Sequence, residues 1–277
     1  MSAFKLKKIQ GKELSNHFTN CKIPNTITDG RLMAVNDQYL ALTWDVPGSI
    51  NLVDSNNPCN LNKYYNIFSI ENSNILDMEF SPFNSNILGF SNENKKIHIA
   101  KFVANNEIES DSYKYHSNKV CFINFNPIAS NVICSSTSYG EVHIWDTINF
   151  KPQMEYKFSN NVNSILWNPN GSLLGISTSN KLLTIIDPRE NVNICERKIT
   201  EMNSKSKFLW LDDNMFSSIR YKLSDKKFYL EIFDIRSNNE NPFTSKELST
   251  YGSCLTPFVD PELKLIYITA KDDYYMR

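Results

Sequence analysis

Short runs in which apolar and polar residues alternate fill most of this 277-residue chain, and clusters of Asn, Ser, Asp and Gly separate them. Period-two alternation broken by turn residues is the signature of β-strands. No stretch carries a long 3.6-residue apolar stripe, so the pattern predicts strands and very little helix. Three segments repeat the pattern in register: NILDMEFSPFNSNILGFSNENKKIHIAKF (74–102), KVCFINFNPIASNVICSSTSYGEVHIWDT (119–147) and NVNSILWNPNGSLLGISTSNKLLTIIDPR (161–189). Each opens with a strand ending in aromatic-x-Pro: Phe80-Ser-Pro82, Phe125-Asn-Pro127, Trp167-Asn-Pro169. Those prolines stand 45 and 42 residues apart. A tight Asn/Ser turn, a strand of small residues, a polar turn and a strand ending in IHIAKF, HIWDT or TIIDP follow. Looser copies occupy 31–55, 207–237 and 253–277, after an N-terminal strand segment over 1–30.

A four-stranded unit of roughly 40–45 residues is the blade of a WD-type β-propeller. The expected fold is therefore all-β, a WD40-type propeller forming a single domain over 1–277, with about six blades in this chain. The stretch SSTSYGEVHIWDTINF (Ser135 to Phe150) reads as the third and fourth strands of one blade. Trp145 is expected to pack between neighbouring blades, with Asp146 at the polar end of its strand. In the next unit Trp167, the aromatic of the aromatic-x-Pro ending, and Asp187, which aligns with Asp146, are read as structural blade residues. The likeness to WD repeats is incomplete. Many such repeats carry an Asp about six residues before the Trp, linked to an upstream His. Here Asn94, Tyr139 and Asn180 hold those turn positions, and His116 stands near the His position. The blades are thus expected to be held mainly by apolar packing.

Several motifs go beyond a general propeller. LMAVNDQYLALTW resembles the first blade of coronins, Asp77-Met-Glu-Phe-Ser-Pro-Phe83 the second, and NPIASNVICSS the third. WNPNGSLLGISTSNKLLTIIDPRE (Trp167 to Glu190) resembles the family's W-N-x-N-G-S-L…I-I-D-P-R element, and TPFVDPELKLIYITAKDD (Thr256 to Asp273) its sixth-blade element. Five motifs in order, over nearly the whole chain, are far more specific than any one. The resemblance implies a seven-bladed ring, actin-filament binding in organising the cytoskeleton, and a cytoplasmic location at the cell cortex. It also implies a seventh blade and a C-terminal coiled coil for oligomerisation, so the complete protein is expected to be longer.

Composition adds limits. Twenty-nine basic and thirty acidic side chains leave a net charge of −1, so no global field draws the chain to nucleic acid or membranes. Any charged partner must meet a local patch. MSAFKLKKIQ lacks an apolar h-region. The six cysteines are scattered without a CxxC, and read as free thiols in a reducing compartment. No GxSxG, GxxxxGK[ST], GxGxxG or HExxH occurs. His98 and His143 recur at equivalent strand positions, which argues for a structural slot over a metal site. The chain is therefore expected to be a binding protein without catalytic residues, cofactor or metal. Candidate contacts are the basic segment Lys5, Lys7 and Lys8, together with Lys22. In the resemblance, the first three fall on the coronin S-K-F-R-H element, and Lys22 takes the place of the Arg implicated in actin binding. A lysine keeps the charge but not the planar fork that grips a carboxylate. Lys95-Lys96 and Lys226-Lys227 read as solvated hairpin tips with, at most, weak affinity for acidic phospholipids. The alternative function is a general WD-repeat scaffold without actin affinity.

Overall fold

A computed structural model describes residues 16–271 apart from positions 23, 25, 27, 63–65, 104–107, 150, 200–206, 223, 238–240, 249–252 and 261. Five four-stranded antiparallel sheets and one two-stranded sheet follow each other along these residues, each a simple meander in sequence order. The first holds Met33–Val35 (β1), Tyr39–Thr43 (β2), Ser49–Asp54 (β3) and Ile67–Ser69 (β4). The second holds Ile75–Phe80 (β5), Ile87–Asn92 (β6), Lys96–Phe102 (β7) and Ile108–Lys114 (β8). The third holds Val120–Phe125 (β9), Val132–Thr137 (β10), Glu141–Asp146 (β11) and Lys151–Lys157 (β12). Val162–Trp167 (β13), Leu174–Thr178 (β14), Leu182–Asp187 (β15) and Val192–Lys198 (β16) make the fourth. Lys207–Trp210 (β17), Met215–Lys222 (β18), Lys227–Asp234 (β19) and Thr244–Leu248 (β20) make the fifth, and Ser253–Asp260 (β21) with Leu265–Lys271 (β22) the last. First strands pack on one another in succession, β1 on β5, β5 on β9, β9 on β13, β13 on β17 and β17 on β21. This is the all-β architecture of a WD-type propeller, its sheets being blades around a shared axis.

The core lies in layers between blades. Ala41, Ile50 and Leu52 of the first blade pack with Met78, Phe80 and Leu88 of the second. Ile97 and Tyr113 join Ile123, Phe125 and Trp145, and Cys134 and Ile144 join Ile165 and Trp167. Leu183 and Ile185 then meet Phe208 and Phe216. The small residues of the second strands make these layers close. A Cβ on Gly89 would stand 2.9 Å from the Phe125 ring, and one on Gly175 would stand 2.3 Å from the Phe208 ring. Both glycines are sockets for an aromatic side chain of the next blade's first strand.

Two readings need correction. The stretch from Ser135 holds the end of β10 and all of β11, the second and third strands of its blade, not the third and fourth. The strand ending in aromatic-x-Pro is the first, and the fourth lies beyond each segment read from the sequence. Outer strands such as β12, with alternating exposed and half-buried residues, and β8, mostly exposed, carry few apolar residues to betray them. Nor is the third blade held by apolar packing alone. His116 Nε2 lies 2.7 Å from Ser135 Oγ, which also accepts the Trp145 indole N–H at 2.8 Å. Glu141 lies 3.3 Å from His116 Nδ1. The His–Ser–Trp network thus exists, with Glu141 supplying the carboxylate that Tyr139 cannot.

Candidate interaction surface

The first strands carry a polar belt that links successive blades. The Arg31 guanidinium donates to Asp77 at 2.9 and 3.0 Å, to Glu79 at 2.8 Å and to the Ile123 carbonyl at 2.6 Å. Asp77 also accepts the N–H of Ile123, and Glu79 the N–H of Phe125. Asn124 carries the belt onward by accepting the Trp167 N–H at 2.8 Å. Burial opposes the charge on Arg31, but Asp77 and Glu79 outweigh it and hold the guanidinium firmly protonated. At the fifth blade, Lys207 donates to the Asp29 carbonyl at 2.8 Å and lies 5.3 Å from the centre of the Phe122 ring. Sequence reading missed this belt, because Asp77 and Glu79 look like ordinary polar positions of an alternating strand.

The buried histidines are structural in geometry. His116 and His143 stack with centroids 4.1 Å apart, and burial pushes His116 down to about 4. His98 stacks on Phe90 and meets Asn92 at 2.9 Å, and burial also takes it to about 4. Among the described residues no group of three His, Cys, Asp or Glu side chains could hold a metal. No helix of the described residues is long and apolar enough to cross a membrane.

The blade residues singled out in the sequence sit at strand ends and blade contacts. Trp145 is 2% exposed and faces Tyr113 of the second blade. Trp167 is buried between the third and fourth blades. Asp146 caps a turn by accepting the Ile148 N–H, and Asp187 does the same for Arg189, whose side chain also grips it at 2.8 and 3.1 Å. The pair Asp234 and Arg236 repeats that arrangement one blade on.

Lys5, Lys7 and Lys8 lie outside the described residues. Lys22 is exposed beside the first blade. The chain before it is strapped down: Phe18 packs against the cluster of Leu40, Leu42, Trp44 and Leu61. The Thr19 N–H donates to the Cys59 carbonyl at 3.1 Å, and its own carbonyl accepts from Leu61 at 3.0 Å. Asn20, at φ 58°, bonds Asn60. The Lys22 ammonium lies 3.6 Å from Asp45, with both side chains about half exposed. Some of its charge is therefore screened within the chain.

Comparison with known proteins fits this architecture. Residues 2–60 match a family described as Domain of unknown function (DUF1899). The chain is 25% identical to the coronin-like protein crn1 of Schizosaccharomyces pombe over 273 residues, 94% of this chain and 45% of that one. It is 23% identical to the coronin-like protein of Saccharomyces cerevisiae, over 96% of this chain and 43% of the other. Coronin-2A of Homo sapiens is 22% identical, over 99% and 54%. The chain thus spans about half the length of the curated relatives it matches. The WD40 domain of Toxoplasma gondii coronin superposes with a TM-score of 0.86 at 21% identity, over 95% of this chain and 70% of that one. The C-terminal WD40 domain of Sif2 gives 0.57 at 14% identity, over 72% and 56%. The ordered motifs, the blade architecture and these matches identify the chain as a WD40-type propeller that is similar to coronins.

Proposed function

We propose that this propeller binds actin filaments and helps to organise the actin cytoskeleton, in the cytoplasm near the cell cortex. The observation that carries the reading is the similarity to coronin-like proteins over nearly the whole chain, beside Lys22 exposed on a strap fastened to the first blade. Mechanism here is recognition: a rigid β scaffold presents lysines to an acidic filament surface, with salt-sensitive affinity. Lys5, Lys7 and Lys8 extend the same contact, and weak affinity for acidic phospholipids accompanies it. Cross-linking of filaments would need the avidity of an oligomer, which in this reading comes from a coiled coil outside this chain. A scaffold without filament affinity is the second reading, supported by the pairing of Lys22 with Asp45.

Co-sedimentation with actin filaments tests the choice. The unmodified chain should pellet, Lys22→Glu should lose about tenfold in affinity, and Lys22→Arg should bind at least as well, since it restores the bidentate fork. Equal pelleting of all three would remove Lys22 from the contact.

A further inference from the structure

In the meander topology, the turns between second and third strands of every blade emerge on one face, and those between first and second strands on the other. In five blades the last residue of the former turn has positive φ: Gly48 (78°), Lys95 (68°), Gly140 (83°), Lys181 (71°) and Lys226 (58°). That conformation suits glycine and disfavours a residue with a Cβ. At Gly48 and Gly140 glycine is also forced, because a Cβ would meet the backbone of Glu71 at 1.6 Å or Phe158 at 2.2 Å. Where glycine is not forced, the three remaining tips all carry lysine. The lysines are therefore held at a conformational cost that the fold does not require.

The same face shows a second cost. Lys96 stands opposite Lys114 in the β7–β8 ladder, and Lys222 opposite Lys227 in the β18–β19 ladder. Like charges directly across a ladder are destabilising. Glu71, Asp225 and Glu247 relieve Lys96, Lys222 and Lys227, whereas Lys95, Lys114, Lys119, Lys181, Lys198 and Lys226 form no ion pair among the described residues. The opposite face is acidic. It carries Asp37, Asp212 and Asp213, and the third strands ending in Asp54, Asp146, Asp187 and Asp234, the last two paired with Arg189 and Arg236. There the carboxylates have a local structural use, capping turns through backbone N–H groups at Asn56, Ile148, Arg189 and Arg236. A chain of net charge −1 is thus folded into a basic face and an acidic face. Lys22, beside Asp45 of the β2–β3 turn, belongs to the basic one.

We infer that the lysine-tipped face is the one that docks on an acidic protein surface, the filament of the proposed function. The inference rests on that reading and adds the orientation: hairpin tips of the second, fourth and fifth blades towards the filament, turn-capping carboxylates away from it. Lys22 at the first blade and the tip lysines then act as one spread patch.

The test is a Lys95→Gly/Lys181→Gly/Lys226→Gly variant of the full chain in actin co-sedimentation, with Lys264→Gly as control. Lys264 also has positive φ (54°) but lies on the acidic face. Glycine suits all four positions, so the melting temperature should hold or rise. The triple variant should bind at least about tenfold more weakly and with a shallower salt dependence, while Lys264→Gly binds as the unmodified chain does. Equal binding by the triple variant and the unmodified chain would overturn the inference and leave filament binding standing. Failure of the unmodified chain to pellet would sink both. Flotation with phosphatidylserine vesicles, abolished in the triple variant while filaments are ignored, would assign the face to membranes and so refute the filament orientation.

Discussion

Arg31 illustrates what single residues contribute beyond the repeat pattern. It joins the entry to the first blade with the first strands of the second and third through Asp77, Glu79 and the Ile123 carbonyl. Asp77 is only 2% exposed, so Arg31→Met would leave its carboxylate without a countercharge. The expected loss is roughly 2–3 kcal/mol, below that of a fully buried pair because the guanidinium is partly exposed; urea unfolding measures it. A loss under about 0.5 kcal/mol would mean that the backbone donors satisfy Asp77 alone. The histidines make a second prediction. His98 and His116 sit at about 4 in the folded chain because burial disfavours their charge, against about 6.5 unfolded. As pH falls from about 6.5 to 4, the unfolded chain takes up protons that the folded chain refuses, so stability must fall. Burial alone would raise Glu71 and Glu141, but hydrogen bonds from Lys96 and Asn92, and from Ser117 and Lys157, hold both at about 2. Their contribution is lost in turn as pH drops below about 4.5. The thermal midpoint should therefore decline steadily from pH 7 to 4, and a flat profile would contradict these environments. The Arg31 contact was not legible in the sequence: Asp77 lies 46 residues from Arg31, and only the packing of neighbouring blades brings them together.

The inner strands were far easier to read than their order within the blade or the sockets between blades. The aromatic-x-Pro endings belong to the first strands β5, β9 and β13, and the glycines of β6 and β14 leave room for Phe125 and Phe208 of the next blade's first strand. The outer strands were not legible, since strands facing solvent on much of their surface, such as β8 and β20, have no apolar periodicity to reveal. The socket makes a sharp prediction. Gly175→Val should push directly into the Phe208 ring, 2.3 Å from the new Cβ, and cost about 2–3 kcal/mol through overpacking. Pairing it with Phe208→Leu should recover part of that loss, a coupling a double-mutant cycle would measure. Independent, additive effects would show that the ring moves aside freely.

At the scale of the whole molecule, summed charge concealed the informative feature. Nearly equal numbers of acidic and basic residues suggest an indifferent surface, yet the meander sends lysine-bearing turns one way and aspartate-capped turns the other. Lys22 was singled out from the sequence through the coronin motif. Lys95 and Lys226 were read there as solvated turn residues and Lys181 was not singled out, because positive φ and cross-strand register do not show in a string of letters. Long-range steering by a basic face predicts association that weakens steeply as the Debye length shrinks, from about 30 Å at 0.01 M salt to about 8 Å at 0.15 M. The most direct test of filament binding is therefore the affinity of the unmodified chain for actin filaments across that range. Binding at low salt that falls at least about tenfold by 0.15 M is the predicted result. Folded protein that stays in the supernatant at every salt concentration would contradict the account.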